Sequence, residues 1–281
     1  MNVKHLLAVG ASVMAATSFA SERIVSYDLG SVDTLRALQA KNQLVGLPKQ
    51  SLPTYLSEFS SAEYADVGGL KAPDAAAVAA TEPTAILITG RQGEQGQALS
   101  SVAQTHTIEL SGDTYWQGFS AQVEDLAELV DQEAVAEQAL KALQQHLASL
   151  KQKVEGGEVL MVTHNAGGFS AGQAPIATEL LGLNMVELPD TVKPVQRGTR
   201  TFMPLEVSDI VTANPEVVYV VDRSQAIGQE DQALDVAQLQ QQLKEQGART
   251  QVSYLTPSLW YLSGNGLESV RLQAEELAYP F

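Results

Sequence analysis

The chain has 281 residues, 44% hydrophobic and 18% charged, which is a globular composition long enough for one large domain or two of ordinary size. Its formal net charge of −16 disfavours nucleic-acid binding, which needs a basic footprint. The lack of cysteine excludes disulfide staples, thiolate zinc sites, iron–sulfur clusters and anchoring by a lipidated cysteine.

Residues 1–20 read as a signal peptide. Lys4 and His5 give a polar start, and the apolar stretch from Leu6 to Ala16 is too short to span a bilayer comfortably. Ser18-Phe19-Ala20 sets small residues at the positions a signal peptidase reads. Cleavage after Ala20 predicts an exported, periplasmic protein beginning at Ser21. No later segment is long and apolar enough for a membrane span.

From residue 22 onward strands and helices alternate. A strand is predicted over 22–30, then a helix over 31–40 with Ser31 as N-cap and Leu35 and Leu38 at helical spacing. A short strand Leu44–Leu47 ends at Pro48. A helix follows over 73–80, a buried strand over 85–89 and another strand over 107–110. Residues 115–153 contain no proline, and their only glycine is Gly118, near the start. Apolar positions from Leu126 to Leu150 recur at helical spacing, and Gly156-Gly157 stops the run. This fits a stiff connector between lobes, as one long helix or a bent pair, or two ordinary helices within one domain. Strands then recur at 158–163, 217–221 and 251–255, with helices at 174–182, 204–213, 232–246 and 266–278. Such alternation implies βαβ units and parallel sheets. The expected class is α/β, with two lobes of mainly parallel sheet flanked by helices. The expected boundaries are 21–114 for the first lobe, 115–154 for the connector region and 155–281 for the second lobe.

One pattern occurs twice. Residues 81–91 and 213–223 each carry a proline, an apolar strand-like run and an arginine at the same distance from the proline, giving Arg91 and Arg223. Ligands of open α/β sheets sit beyond the carboxyl ends of the strands. Two lobes that each aim an arginine into such a crevice suggest an anionic ligand between them. Arg197 and Arg200, in a glycine-containing loop of an acidic chain, are further candidates, because guanidinium forks suit oxygen-rich anions.

Other motifs allow more than one reading. Gly168-Phe-Ser170-Ala-Gly172 matches a nucleophile elbow, but no histidine follows Ser170, so a glycine-rich ligand loop is the better reading. Gly264-Asn-Gly266 could cradle an anion at a helix N-terminus or form an ordinary helix-entry turn. His164, at a strand end, is expected to face the crevice. No three-ligand metal cage is visible. Trp260-Tyr261 could be core, or could stack on an aromatic ligand at a crevice rim. The Tyr261 phenolate could also supply a hard oxygen donor to ferric iron.

Ser26-Tyr-Asp-Leu-Gly-Ser-Val-Asp-Thr-Leu, Val45-Gly-Leu-Pro-Lys-Gln-Ser-Leu-Pro-Thr-Tyr-Leu, Ile88-Thr-Gly-Arg-Gln, Val221-Asp-Arg and Trp260-Tyr-Leu-Ser-Gly-Asn-Gly-Leu-Glu-Ser resemble the periplasmic ferric-siderophore-binding proteins of ABC importers. The resemblance spans nearly all of the mature chain and points to the branch that binds catecholate siderophores. It implies two α/β lobes joined by a long helix, no catalysis and no resident cofactor. The implied partners are a ferric siderophore and the permease of an inner-membrane ABC transporter, with the protein itself a monomer. By position, Arg91 and Arg223 match arginines that neutralise the ferric complex, and Tyr261 matches a tyrosine that can bind iron. Trp260 is expected to add stacking. The family often has an arginine in the loop that here reads Phe169-Ser-Ala-Gly-Gln173-Ala-Pro, which leaves Gln173 as the candidate contact there. Where the family often has histidine-glycine, this chain has Arg197-Gly198, so Arg197 or Arg200 is expected to restore the missing positive charge. Permease docking by acidic residues would fall near Asp74 in the first lobe and near Glu206 and Asp209, beside Ser208, in the second. A haem or cobalamin carrier, with Tyr261 or His164 as the axial candidates for haem, is the alternative within the transport class. A hydrolase using Ser170 and a sensor without a transporter are the alternatives outside it.

Overall fold

The computed structural model describes residues 21–50, 52–198 and 200–281. The expected signal peptide, residues 1–20, lies outside the described residues. The first half contains β1 (Ile24–Ser26), α1 (Leu29–Ala37), β2 (Leu44–Leu47), β3 (Ala65–Asp66), a small hairpin β4 (Gly68–Gly69) and β5 (Ala72–Pro73), α2 (Ala75–Ala80), β6 (Ala85–Ile88), α3 (Gly93–Ala98) and β7 (Gln104–Thr107). Its sheet runs β3-β2-β1-β6-β7, parallel throughout. β6 is buried at every position, and its Ala-Ile-Leu-Ile run is the continuous apolar stretch that a strand covered on both faces requires.

Two expectations shift here. The first strand stops at Ser26 because Asp28 caps α1, accepting from the Ser31 N–H at 2.7 Å and the Ser31 hydroxyl at 2.8 Å. Ser31 is therefore inside the helix rather than its cap. The strand expected over 107–110 lies earlier, with Thr107 as its last residue, paired with Ile88.

The glycine-poor middle forms α4 (Tyr115–Leu129) and α5 (Glu133–Val154), the bent pair. The break is at Asp131, whose φ of 56° leaves the helical region. Leu140, Leu143, Leu147, Leu150 and Val154 form the buried stripe of α5. α5 bridges the lobes. One continuous core joins Leu29 and Leu35 of the first half, this stripe, and Met161 and Tyr219 of the second.

The second half contains β8 (Glu158–Asn165), β9 (Gly168–Ala171), β10 (Asn184–Met185), β11 (Val195–Arg197), β12 (Arg200–Leu205), α6 (Val207–Ala213), β13 (Val217–Asp222), α7 (Arg223–Ala226), α8 (Val236–Glu245), β14 (Gln251–Leu255), α9 (Pro257–Tyr261) and α10 (Leu267–Ala278). The sheet runs β11-β12-β9-β8-β13-β14, with β10 beside the start of β8. β10, β8, β13 and β14 are parallel, whereas β9, β12 and β11 are antiparallel. β8 turns back into β9 through Ala166 and Gly167, whose φ values of 49° and 83° suit a tight hairpin turn.

The helix expected over 204–213 begins only at Val207, and Pro204 lies in β12 opposite Ser170. Pairing with β11 ends at Phe202, so β12 has a neighbour on one side only at Pro204, where a missing N–H is tolerated. The segment expected as a helix over 174–182 is a short π-helical turn, Ile176–Leu180.

Candidate functional site

The two arginines of the repeated pattern are set by different local devices. After β6 the chain turns through Thr89-Gly90-Arg91. The Gln92 side chain, buried to 3% exposure, accepts from the Thr89 N–H at 2.6 Å and donates to the Leu70 carbonyl at 2.5 Å. Gln92 thereby fixes the turn that carries Arg91, a task with no local signature in the sequence. Arg223 instead opens α7, directly behind Asp222, which caps that helix through the Gln225 N–H at 3.2 Å.

Asp222 is fully buried at the end of β13. Burial pushes its carboxyl up, but donors from the Leu234 N–H, His164, the Gln225 N–H and the Tyr254 hydroxyl outweigh that and hold it below the usual carboxylate range. His164 is part of this anchor and not of the crevice. It is 2% exposed; its Nε2 accepts from the Gly167 N–H at 3.1 Å, so Nδ1 carries the proton and donates to Asp222 at 3.1 Å. The expectation that His164 faces the crevice is corrected. Both ring nitrogens are engaged, by a partner 58 residues away and by its own hairpin.

Arg91 and Arg223 converge on Tyr261, the last residue of α9. Arg223 donates through Nε to the Tyr261 hydroxyl at 2.8 Å and through Nη1 to Asn165 Oδ1 at 2.6 Å. Arg91 donates through Nη2 to the Tyr261 carbonyl at 2.7 Å. The guanidinium carbons lie 5.8 Å (Arg91) and 5.6 Å (Arg223) from the centre of the Tyr261 ring, at cation–π range. Two cations from opposite halves thus face one aromatic ring with no carboxylate salt bridge to either among the described residues. That arrangement is chemically suited to an aromatic anion.

The remaining candidates divide. Arg200 lines, with Arg91, Tyr27, Asp28, Gln122 and Asn265, a cavity of about 300 Å³ between the halves. Arg197 does not line that cavity. Its guanidinium sits 5.7 Å from the ring of Phe202 on the exposed β11–β12 hairpin. Gln173 is exposed in the loop after β9 and makes no side-chain hydrogen bond among the described residues. The Trp260 ring packs partly buried against the main core, and its Nε1 donates to Glu276 at 2.7 Å.

The other motifs are absorbed by structure. Ser170 lies within β9, paired with Thr163 and Pro204, and its hydroxyl accepts from the Met203 N–H at 3.2 Å; the strand-turn-helix elbow that a nucleophile needs is not formed. At Gly264-Asn-Gly266, the anion at the helix N-terminus is the protein's own. The Asp33 carboxylate, fully buried in α1, accepts from the N–H groups of Glu268 at 3.1 Å and Ser269 at 2.9 Å, and from the Tyr55 hydroxyl at 3.2 Å. Burial raises its pKa to about 6 against the pull of those donors. A Cβ on Gly266 would fall 2.2 Å from Asp33 Oδ1, so this approach requires glycine. No group of three or more His, Cys, Asp and Glu residues suited to hold a metal occurs among the described residues.

Comparison with known proteins places this geometry in context. A family profile described as "Periplasmic binding protein" matches residues 24–252. The petrobactin-binding protein YclQ of Bacillus subtilis is 30% identical over 263 residues, covering 91% of this chain and 81% of the relative. Its crystal structure superposes with a TM-score of 0.81, covering 92% of this chain and 91% of that one. The iron-uptake substrate-binding protein PiuA of Streptococcus pneumoniae is 28% identical with a TM-score of 0.79, covering 92% of each chain. The fold alone is shared with BauB, solved with two molecules of acinetobactin and ferric iron, at 20% identity, a TM-score of 0.76 and 92% coverage of each chain.

Proposed function

This chain belongs to the periplasmic binding protein family, and we propose that it captures a ferric siderophore of the catecholate type and delivers it to the permease of an inner-membrane ABC transporter. The family is one of binding proteins, and the chain is not an enzyme. The observation that carries the ligand class is the pair of arginines, one from each half, directed at the single ring of Tyr261. A ferric catecholate is a multiply charged anion with aromatic rings. It would take charge-assisted hydrogen bonds from Arg91, Arg223 and Arg200 and cation–π contact from the same groups. The relative that binds petrobactin supports the catecholate choice.

Tyr261 would stack on the ligand or give its phenol oxygen to the iron, which is cargo and not a resident cofactor. The engaged ring of His164 removes one of the two axial donors that a haem carrier could have used. Exported as the N-terminal sequence suggests, the protein would act as a monomer in the periplasm. The test is quenching of tryptophan fluorescence by ferric catecholates, set against ferric hydroxamates, haem and cobalamin. Quenching by a ferric catecholate at low concentration supports the assignment. Quenching only by one of the other ligands overturns it.

A further inference from the structure

Tyr261 stands at the end of a helix too short to hold itself. α9 spans five residues, a length at which helix formation is unfavourable without tertiary support. Its N-cap, Thr256, makes no capping bond of its own side chain to the helix. Besides the burial of Leu259, support comes from polar side chains on α10. Glu276 accepts from the Thr256 hydroxyl at 2.5 Å, from the Thr256 N–H at 3.1 Å and from Trp260 Nε1 at 2.7 Å. It therefore grips α9 at both ends, at the residue before the helix and at the residue next to Tyr261. One turn earlier on α10, Gln273 donates to the Leu259 carbonyl at 3.1 Å and holds the middle. Tyr261 itself packs partly buried against the main core, and its polar atoms meet the two arginines through its carbonyl and its hydroxyl.

We infer that Glu276 is a positioning residue: by fastening α9 it sets where Tyr261 stands between Arg91 and Arg223, and so sets the affinity of the cleft for its anionic ligand. This rests on the reading of that cleft as the ligand site. Trp260 then serves the site through its N–H toward Glu276, and its ring is scaffold rather than a stacking surface.

The test uses the full-length mature protein and two variants. Glu276→Gln leaves a single acceptor oxygen and turns an NH₂ group toward donors. Trp260→Phe removes the indole N–H and keeps an aromatic ring. In the ligand-free protein, the ¹⁵N-bound resonance of Arg223 Nε–H reports its bond to Tyr261. The resonance should shift in both variants in the direction seen in Tyr261→Phe. With a ferric catecholate as probe, Glu276→Gln should weaken quenching about tenfold, of the order of one charged hydrogen bond, and should add little in a Tyr261→Phe background. An Arg223 Nε–H resonance unmoved in both variants overturns the inference, as does a Glu276→Gln effect of full size when Tyr261 is already phenylalanine. Should the parent bind no ferric catecholate, the ligand reading falls, while the Arg223 resonance still decides the role of Glu276.

Discussion

Asp33 ties the two halves together, and replacing it with asparagine isolates a single titration. Its carboxylate leaves α1 to cap the start of α10 and to accept from Tyr55. The nearby cation, Arg36, pairs with Glu268 and Glu58, and no salt bridge to Asp33 occurs among the described residues. Burial therefore raises its pKa from 3.8 to about 6, against hydrogen bonds that pull the other way. A folded-state pKa above the unfolded one means that the native state binds more protons in that interval. The contribution to stability is full below the unfolded value of 3.8 and is lost as pH rises through about 6. Between pH 5 and pH 7 the linkage amounts to about 1 kcal/mol. For a chain of this size that corresponds to roughly 2–4 °C in Tm. Asparagine keeps an acceptor for the α10 N–H groups but cannot ionise. Urea unfolding at both pH values, followed by tryptophan fluorescence, should show that Asp33→Asn loses about 1 kcal/mol less stability than the parent between pH 5 and pH 7. An identical difference in the two proteins would refute the account of Asp33.

Two further outcomes follow from the same geometry. Arg200→Ala should weaken binding of a ferric catecholate about tenfold, the loss expected of one charged contact, whereas Arg197→Ala, which removes a guanidinium stacked on Phe202, should change it little; paired quenching titrations compare them. Gly266→Ala drives a methyl group into the Asp33 carboxylate and should destabilise the fold by about 2–4 kcal/mol, read as a lower midpoint in guanidinium unfolding.

Where local pattern decides structure, the sequence was readable. The continuous apolar runs of β6 and β13 marked buried strands, and the full extent of β14 and the body of α10 followed from their patterning. The glycine-poor middle was legible as helix, but the break at Asp131 was not, because a left-handed aspartate carries no glycine or proline signal. Pro204 reads as a helix start after a glycine-containing loop, whereas it and Leu205 end β12, and only the one-sided pairing explains a proline in that strand.

The site shows the same division. Two strand-end arginines were visible as a repeat, and Tyr261 was a candidate rim aromatic that the resemblance matched to a family tyrosine. Their meeting on one ring depends on contacts of 170 and 38 residues in sequence separation, which no local pattern encodes. Likewise His164 looked available because Asp222 is 58 residues away, and the glycines before α10 looked like an anion cradle because Asp33 is more than 230 residues away.

The central claim is that an aromatic ferric anion is held between Arg91 and Arg223. Its most direct test is the dissociation constant of a ferric catecholate for the Arg91→Gln/Arg223→Gln double variant, measured by fluorescence quenching beside the parent. Loss of two charged hydrogen bonds predicts weakening of about 100-fold or more. A double variant that binds the ferric catecholate as tightly as the parent would contradict the account.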